Sequence, residues 1–304
     1  MHTQNFTLDA SFDGLTLHLL VAEPQGQAKG VVQILHGMCE YKERYLPLIQ
    51  HFTDNGFIVV CHDQRGHGDS VKDDKDLGYF YEKKAQAIVD DAVDVTQWIR
   101  TRYPHLPITL FGHSMGSMVA RCYLQRHDTL INKVIISGSP VYNPLAPVAI
   151  GLAKTIGLFR GKYHRCKTLT YLSTGKGNNK FPGEEKGAWL SKNRANIQEF
   201  YAHPKGHFRF TCNGFENLFR LMKNTYTEKL YKVQNPDLPI YFVSGADDPV
   251  LGGAKNFAKT LAFMKKVGYE KVDGRLYENM RHELHNETDN QEVLADLVAQ
   301  LQTV

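Results

Sequence analysis

Ile108-Thr-Leu-Phe-Gly112-His-Ser114-Met-Gly116 joins a short apolar run to a segment of helical pattern that continues to about residue 125. A serine between two glycines at such a strand-to-helix junction sits on a tight turn. The glycines permit close backbone approach, and the hydroxyl projects above the carboxyl edge of a sheet. The competing reading is a plain glycine-containing turn, and the surrounding segments decide between the two.

Working outward, apolar runs at 30–35, 57–61 and 134–137 alternate with helical patterns at 45–52, 85–103 and 115–125. Continuous apolar runs of this length, alternating with helices, imply parallel strands covered on both faces by right-handed crossovers. Segments 6–12 and 15–21 flank Asp13-Gly14, a dipeptide suited to a two-residue turn, and predict an antiparallel hairpin. From 141 to 225 the alternation stops, giving helical stretches and a polar loop at 174–180 with no continuous apolar strand. It resumes with a strand at 240–244, a helix at 254–267, a strand at 271–277 and a closing helix from about 288. The expected fold class is α/β: a mostly parallel sheet flanked by helices, residues 1–140 and 226–304, carrying an inserted, mainly helical cap at 141–225.

A serine hydroxyl is a weak nucleophile. It needs a general base, a third group holding that base in one tautomer, and donors for the developing oxyanion. After the strand at 240–244 stands Gly245-Ala-Asp247-Asp248-Pro-Val, and after that at 271–277 stands Glu278-Asn-Met-Arg-His282-Glu-Leu-His285. Of the two carboxylates, Asp248 falls three residues beyond Gly245 and directly before Pro249, and is expected to orient the base. The run at 31–35 ends in His36-Gly37-Met38, where a backbone N–H can join that of Met115 in an oxyanion hole. His36, Gly37 and His113 are expected to border the substrate.

His36-Gly-Met-Cys-Glu-Tyr-Lys-Glu-Arg-Tyr45, Asp63-Gln-Arg-Gly-His-Gly-Asp-Ser70, Gly112-His-Ser-Met-Gly116 and Arg281-His-Glu-Leu-His-Asn-Glu287 together resemble the motifs of the monoacylglycerol lipase and lysophospholipase branch of the α/β-hydrolase superfamily. The chain order serine, acid, histidine is that of this superfamily. The resemblance covers nearly the whole chain and is weakest at 141–225. It implies Ser114 as nucleophile, His282 as base, Asp248 as its orienting acid, and the Met38 and Met115 amides as oxyanion donors. Cys39-Glu40-Tyr41 stands where the family often has Gly-Glu-His, a departure that bears on the shape of the oxyanion loop.

Other chemistries fit less well. His282-Glu-Leu-His285 is one residue short of a zinc-protease HExxH, so no metal site is expected there. His62, Asp63, His67 and Asp69 sit in a Gly-rich turn read as structural, with Arg65 bonding nearby carbonyls. Segments 157–162 and 174–180 lack the spacing of a phosphate loop, and no cofactor is expected. Asp73, Asp74 and Asp76 read as a solvated turn.

Composition narrows the setting. In 304 residues, 42% hydrophobic and 22% charged, the net charge is only +4, too mild to argue for nucleic acid. Five cysteines form no CxxC pair and fit reduced thiols in a cytoplasmic protein. The first residues carry no signal-peptide pattern, and no run of 18 apolar residues occurs. Segment 141–225, however, holds 14 Lys and Arg against 4 Asp and Glu, a net of +10 that leaves −6 for the rest. Interleaved with Phe159, Tyr163, Tyr171 and other aromatics, and opening on the apolar run 145–153, it is expected to roof an acyl pocket and to touch an anionic membrane surface; the equally weighted alternative is that its apolar residues only pack on the sheet and its lysines are solvated. The expected function is a serine hydrolase cleaving single-chain lipid esters, monoacylglycerol or lysophospholipid. The alternatives are a proline-iminopeptidase-like aminopeptidase, which needs an acidic anchor for the amine, and a catalytically silent binding protein.

Overall fold

The computed structural model describes residues 1–81, 84–175 and 177–303. Strands β1 (His2–Asp9), β2 (Thr16–Glu23), β3 (Gly30–Leu35), β4 (Phe57–His62), β5 (Ile108–His113), β6 (Lys133–Ser137), β7 (Ile240–Gly245) and β8 (Val272–Tyr277) form one sheet in the order β1-β2-β4-β3-β5-β6-β7-β8. From β4 to β8 every pairing is parallel, and β1 and β2 add an antiparallel edge. Alternation within β3 shows how the sheet is covered twice. Val31 and Leu35 face one core and Val32 and Ile34 the other. Gln33, fully buried among them, donates to the Ala92 carbonyl (2.8 Å) and accepts from Thr96 Oγ1 (2.7 Å).

The helices are α1 (Leu46–Asp54), α2 (Ala87–Arg102), α3 (Met115–His127), α4 (Ala146–Arg160), α5 (Lys167–Thr170), α6 (Arg194–Ala202), α7 (Cys212–Thr225), α8 (Ala254–Lys266) and α9 (Gln291–Gln302). Side chains of α2, α3 and α8 pack on one face of the sheet, and those of α1 and α9 on the other. Helices α4 to α7 fall between β6 and β7, where the described residues contain no strand. This segment buries Phe210, Phe215 and Leu221 in the same cluster as the α2–α3 face, so its interior is continuous with the sheet's. Of the polar loop expected at 174–180, Lys176 lies outside the described residues.

The hairpin departs from expectation at its turn. Pairing ends at Asp9↔Thr16, so residues 10–15 close it rather than Asp13-Gly14 alone. Ala10 and Leu15 are both buried and pair through Ala10 N–H to the Leu15 carbonyl (2.9 Å), which widens the loop. The Asp13 carboxylate is drawn to Arg65 (3.1 Å).

Candidate active site

Parallel strands bring their carboxyl ends to one edge, where loops from β3, β5, β7 and β8 converge. Directly after β5, Ser114 holds φ 52° and ψ −114°, a conformation disfavoured for a residue with a side chain. The turn exists because its flanks carry no Cβ. One on Gly116 would stand 2.0 Å from the Leu35 carbonyl oxygen, and one on Gly112 would stand 2.5 Å from that of Gly116. The Ser114 N–H is anchored on the Ser137 carbonyl (2.9 Å).

His282 Nε2 lies 2.8 Å from Ser114 Oγ, and His282 Nδ1 lies 2.8 Å from Asp248 Oδ2. Asp248 is wholly buried; Asp247 points outward beside Lys180 (3.5 Å). Burial alone would lower the basicity of His282. The Asp248 carboxylate more than offsets it through charge and hydrogen bond, and the net shift is upward. Backbone bonds lock acid and base loops together: Ala246 N–H donates to the Tyr277 carbonyl (2.8 Å) and Asp247 N–H to that of Met280 (3.0 Å). His285 stands apart, stacked on Tyr45 at 5.1 Å between ring centres.

The Met38 and Met115 side chains border the same cavity as Ser114, and among the described residues neither backbone N–H has an acceptor. Two N–H groups left open beside a nucleophile suit a developing oxyanion. The loop carrying Met38 is held from below. Glu40 accepts the Gly37 N–H (2.5 Å) and the Tyr45 hydroxyl (2.7 Å), and also pairs with Arg44. Cys39 takes φ 62° and donates its thiol to the Phe208 carbonyl (2.9 Å), joining the loop to segment 141–225.

Gly37 and His113 border the cavity, and His36 does not. Its Nδ1–H donates to the Gly37 carbonyl (2.8 Å) and its Nε2 accepts from Gln64 N–H (2.9 Å), so the ring serves as a brace between loops. Sequence reading missed Arg44, whose guanidinium spans Glu40 and both oxygens of Glu283 (2.9 and 2.7 Å) and so ties the oxyanion loop to the residue after His282. Burial opposes the charge on Glu283, yet Arg44 holds its carboxyl well below the usual range. Asn196 of α6 bonds both (3.1 and 2.8 Å). Residues 239 apart in sequence give no local signal of this pairing.

In the Gly-rich turn, Arg65 reaches the Phe80 carbonyl (3.2 Å) and, more closely, the Asp91 carboxylate (2.6 and 2.7 Å), while Asp63 binds Lys42 (2.8 Å). Among the described residues no group of three or more His, Cys, Asp or Glu is arranged to hold a metal.

The cavity above Ser114 has a volume of about 720 Å³. Met118, Pro140, Leu218, Phe219 and Met222 form an apolar wall; Trp189 packs on His282, 5.1 Å between ring centres. Serine, imidazole and carboxylate in this relay can deprotonate a hydroxyl as it attacks a carbonyl.

The sequence profile of the serine aminopeptidase S33 family matches residues 26–289. The monoacylglycerol lipase of Mycolicibacterium smegmatis is 24% identical over 293 residues, 95% of this chain and 94% of the relative. Monoglyceride lipase of Mus musculus is 30% identical over 133 residues, 43% of this chain and 42% of that one. Among solved structures, a carboxyl esterase from Bacillus coagulans superposes with TM-score 0.89 at 24% identity, covering 100% and 99% of the two chains. A soluble variant of the Saccharomyces cerevisiae monoglyceride lipase gives 0.72 at 19%, covering 96% and 93%. With the family profile spanning most of the chain and the fold shared throughout, the protein belongs to the serine aminopeptidase S33 family of the α/β-hydrolase superfamily and is a serine hydrolase.

Proposed function

We propose that the protein hydrolyses carboxylic esters of single-chain lipids, such as a monoacylglycerol, through an acyl-enzyme on Ser114. The observation that carries this reading is the Ser114–His282–Asp248 relay opening onto a cavity lined in part by Met118, Pro140, Leu218, Phe219 and Met222. The names of the relatives, monoacylglycerol and monoglyceride lipases, support it. Ser114 Oγ attacks the ester carbonyl carbon as its proton passes to His282 Nε2. The carbonyl oxygen takes up negative charge facing the Met38 and Met115 N–H groups. Collapse expels the alcohol, which receives the proton from His282. Water, deprotonated by His282, then attacks the acyl carbon, and the fatty acid leaves as Ser114 recovers its proton. Asp248 stabilises the imidazolium in both halves.

In this reading residues 141–225 form the cap and Gly37 and His113 border the substrate. The cap also meets an anionic membrane surface through α4, where Leu158 and Phe159 near its carboxyl end are each 81% exposed, Leu145 and Val148 are exposed at its amino end, and Arg160 and Lys162 follow. No helix among the described residues is long and apolar enough to cross a membrane. The five buried thiols, all free, support a reducing, cytoplasmic setting.

The family description favours a second reading, removal of an N-terminal residue. The carboxylates bordering the cavity, Glu40, Glu184 and Glu283, are each matched to an arginine, which leaves none to hold a substrate ammonium group. A panel of monoacylglycerols and p-nitrophenyl esters of increasing chain length, run beside aminoacyl anilides, tests the choice. We expect kcat/KM to rise along the ester series by up to about fourfold per methylene, since each buried CH₂ contributes about 0.8 kcal/mol. Anilide turnover exceeding that of every ester would replace the lipase reading with the peptidase one.

A further inference from the structure

The cavity has two chemically different ends. Pro140, Met118, Leu218 and Met222 make the apolar end, toward α3 and α7. The other end is cationic and adjoins the base. Trp189, whose ring is tilted against that of His282 and whose carbonyl accepts the His282 N–H (3.4 Å), lies three residues beyond Lys186. The Lys186 ammonium rests over the Tyr201 ring at 4.7 Å, and Tyr201 lies 4.1 Å from the His207 ring, beside Phe208 and Arg209. Lys186, Tyr201, His207 and Arg209 all border the cavity.

The charges at this end are not balanced. Among the described residues neither the Lys186 ammonium nor the Arg209 guanidinium has a carboxylate partner; of the three carboxylates on the cavity wall, Glu184 pairs with Arg281, and Glu40 and Glu283 share Arg44. Both cations are felt at His207: burial, then Lys186 and Arg209, lower its pKa to about 4, so the imidazole is neutral at pH 7 and adds no positive charge of its own. In the reaction argued above, the departing alcohol takes its proton from His282, so the alcohol half of the ester lies on the His282 side. The acyl chain is then left to the apolar end.

We infer that Lys186 and Arg209 select esters whose alcohol half carries a negative charge, a phosphorylated glycerol of the lysophosphatidate type, over esters of uncharged glycerol. This inference rests on the lipid-esterase reading and names its substrate class. A phosphate monoester offers acceptor oxygens to both cations at once, while glycerol hydroxyls leave them paired only with water.

The same charges could attract an anionic surface rather than a head group, so the test uses monomeric substrate. Initial rates are measured on 1-hexanoylglycerol and 1-hexanoylglycerol 3-phosphate below their aggregation concentrations, for wild type, Lys186→Gln, Arg209→Gln and the double variant. We expect wild type to favour the phosphorylated ester by about tenfold or more in kcat/KM, and the double variant to lower that ratio about tenfold. Inorganic phosphate should inhibit wild type competitively, and the double variant less. If the double variant fails to fold, the ratio in either single variant and the phosphate inhibition of wild type decide. A wild-type preference for the uncharged ester, a ratio untouched by the substitutions, or a preference seen only with anionic vesicles would overturn head-group selection and leave the esterase reading intact. Failure to cleave either ester, with longer chains also inert, would instead remove the esterase reading itself.

Discussion

Asp247 and Asp248 are chemically identical neighbours with opposite surroundings. Asp248 is fully buried against His282 Nδ1, and Asp247 faces Lys180 and solvent. Asp248→Asn should lower kcat by roughly 10⁴, because the amide can present an N–H and favour the wrong tautomer of His282, while Asp247→Asn should change it far less. The reverse ranking would show that the acid has been misassigned. The pH profile gives a second, signed readout. With its pKa raised above 6.5, His282 is neutral, and able to accept the Ser114 proton, only on the alkaline side of that raised value. The acid limb of kcat/KM should therefore fall with a midpoint above pH 6.5 in wild type. It should move to lower pH in Asp248→Asn, which loses the attraction that favours imidazolium. An unmoved midpoint would contradict the role given to Asp248. These residues were legible in the sequence because each lies within about five residues of the carboxyl end of a segment readable as a strand. His36 has the same placement, yet its ring is spent bracing Gly37 and Gln64, and no sequence pattern distinguishes a histidine that borders a cavity from one that braces its rim.

At the scale of elements, the loop after β3 and the loop after β8 are clamped by Arg44 between Glu40 and Glu283. Arg44→Ala would leave two carboxylates buried without a cation and should cost about 3–5 kcal/mol of folding stability, measured by urea unfolding. A loss below about 1 kcal/mol would mean the clamp is dispensable. Helix α4 poses a different question. Leu145 just before it, and its residues 148, 158 and 159, leave apolar side chains in solvent, although α4 also packs on α7. If that surface meets lipid, vesicle binding should rise with anionic lipid content and weaken at high salt. Leu158→Ser with Phe159→Ser should reduce it, as should charge reversal at Lys154, Arg160 and Lys162. Binding indifferent to lipid charge, salt and these substitutions would leave α4 without an interfacial role. Strands β2 to β8 were read within a residue or two, most closely where doubly covered strands are continuous apolar runs, β3 and β4 above all, whereas β1, expected at 6–12, runs His2–Asp9. The hairpin turn was not, because burial of Ala10 and Leu15 and the pull of Arg65 on Asp13 are tertiary effects that override the local Asp-Gly preference.

The whole molecule stores several imidazoles where a proton is costly. His36, His62, His67, His113 and His285 are fully buried, and burial lowers the pKa of each, to about 3 for His62 and His285. In the unfolded chain all five titrate near 6.5. Between pH 6.5 and about 3 the unfolded state therefore binds more protons than the folded one, and stability must fall as pH falls. Each group contributes up to about 1.4 kcal/mol per pH unit. Asp91, raised to about 6 by burial, opposes this by a single group, and His282, with a raised pKa, adds stability only below 6.5 that is lost as pH rises through its folded value. The urea midpoint should drop steeply from pH 6.5 to 4.5; a flat midpoint across that window would contradict the neutral, buried assignment. All of this supports one edge of the sheet, where Ser114 stands strained at the end of β5. The most direct measurement of the central claim is fluorophosphonate labelling of the folded protein, followed by peptide mass mapping. Wild type should carry a single stoichiometric adduct on the peptide containing Ser114, and Ser114→Ala, equally folded, should carry none and retain on the order of 10⁻⁶ of wild-type kcat on a monoacylglycerol. Absence of an adduct on folded wild type, an adduct on another residue, or substantial activity in Ser114→Ala would contradict it.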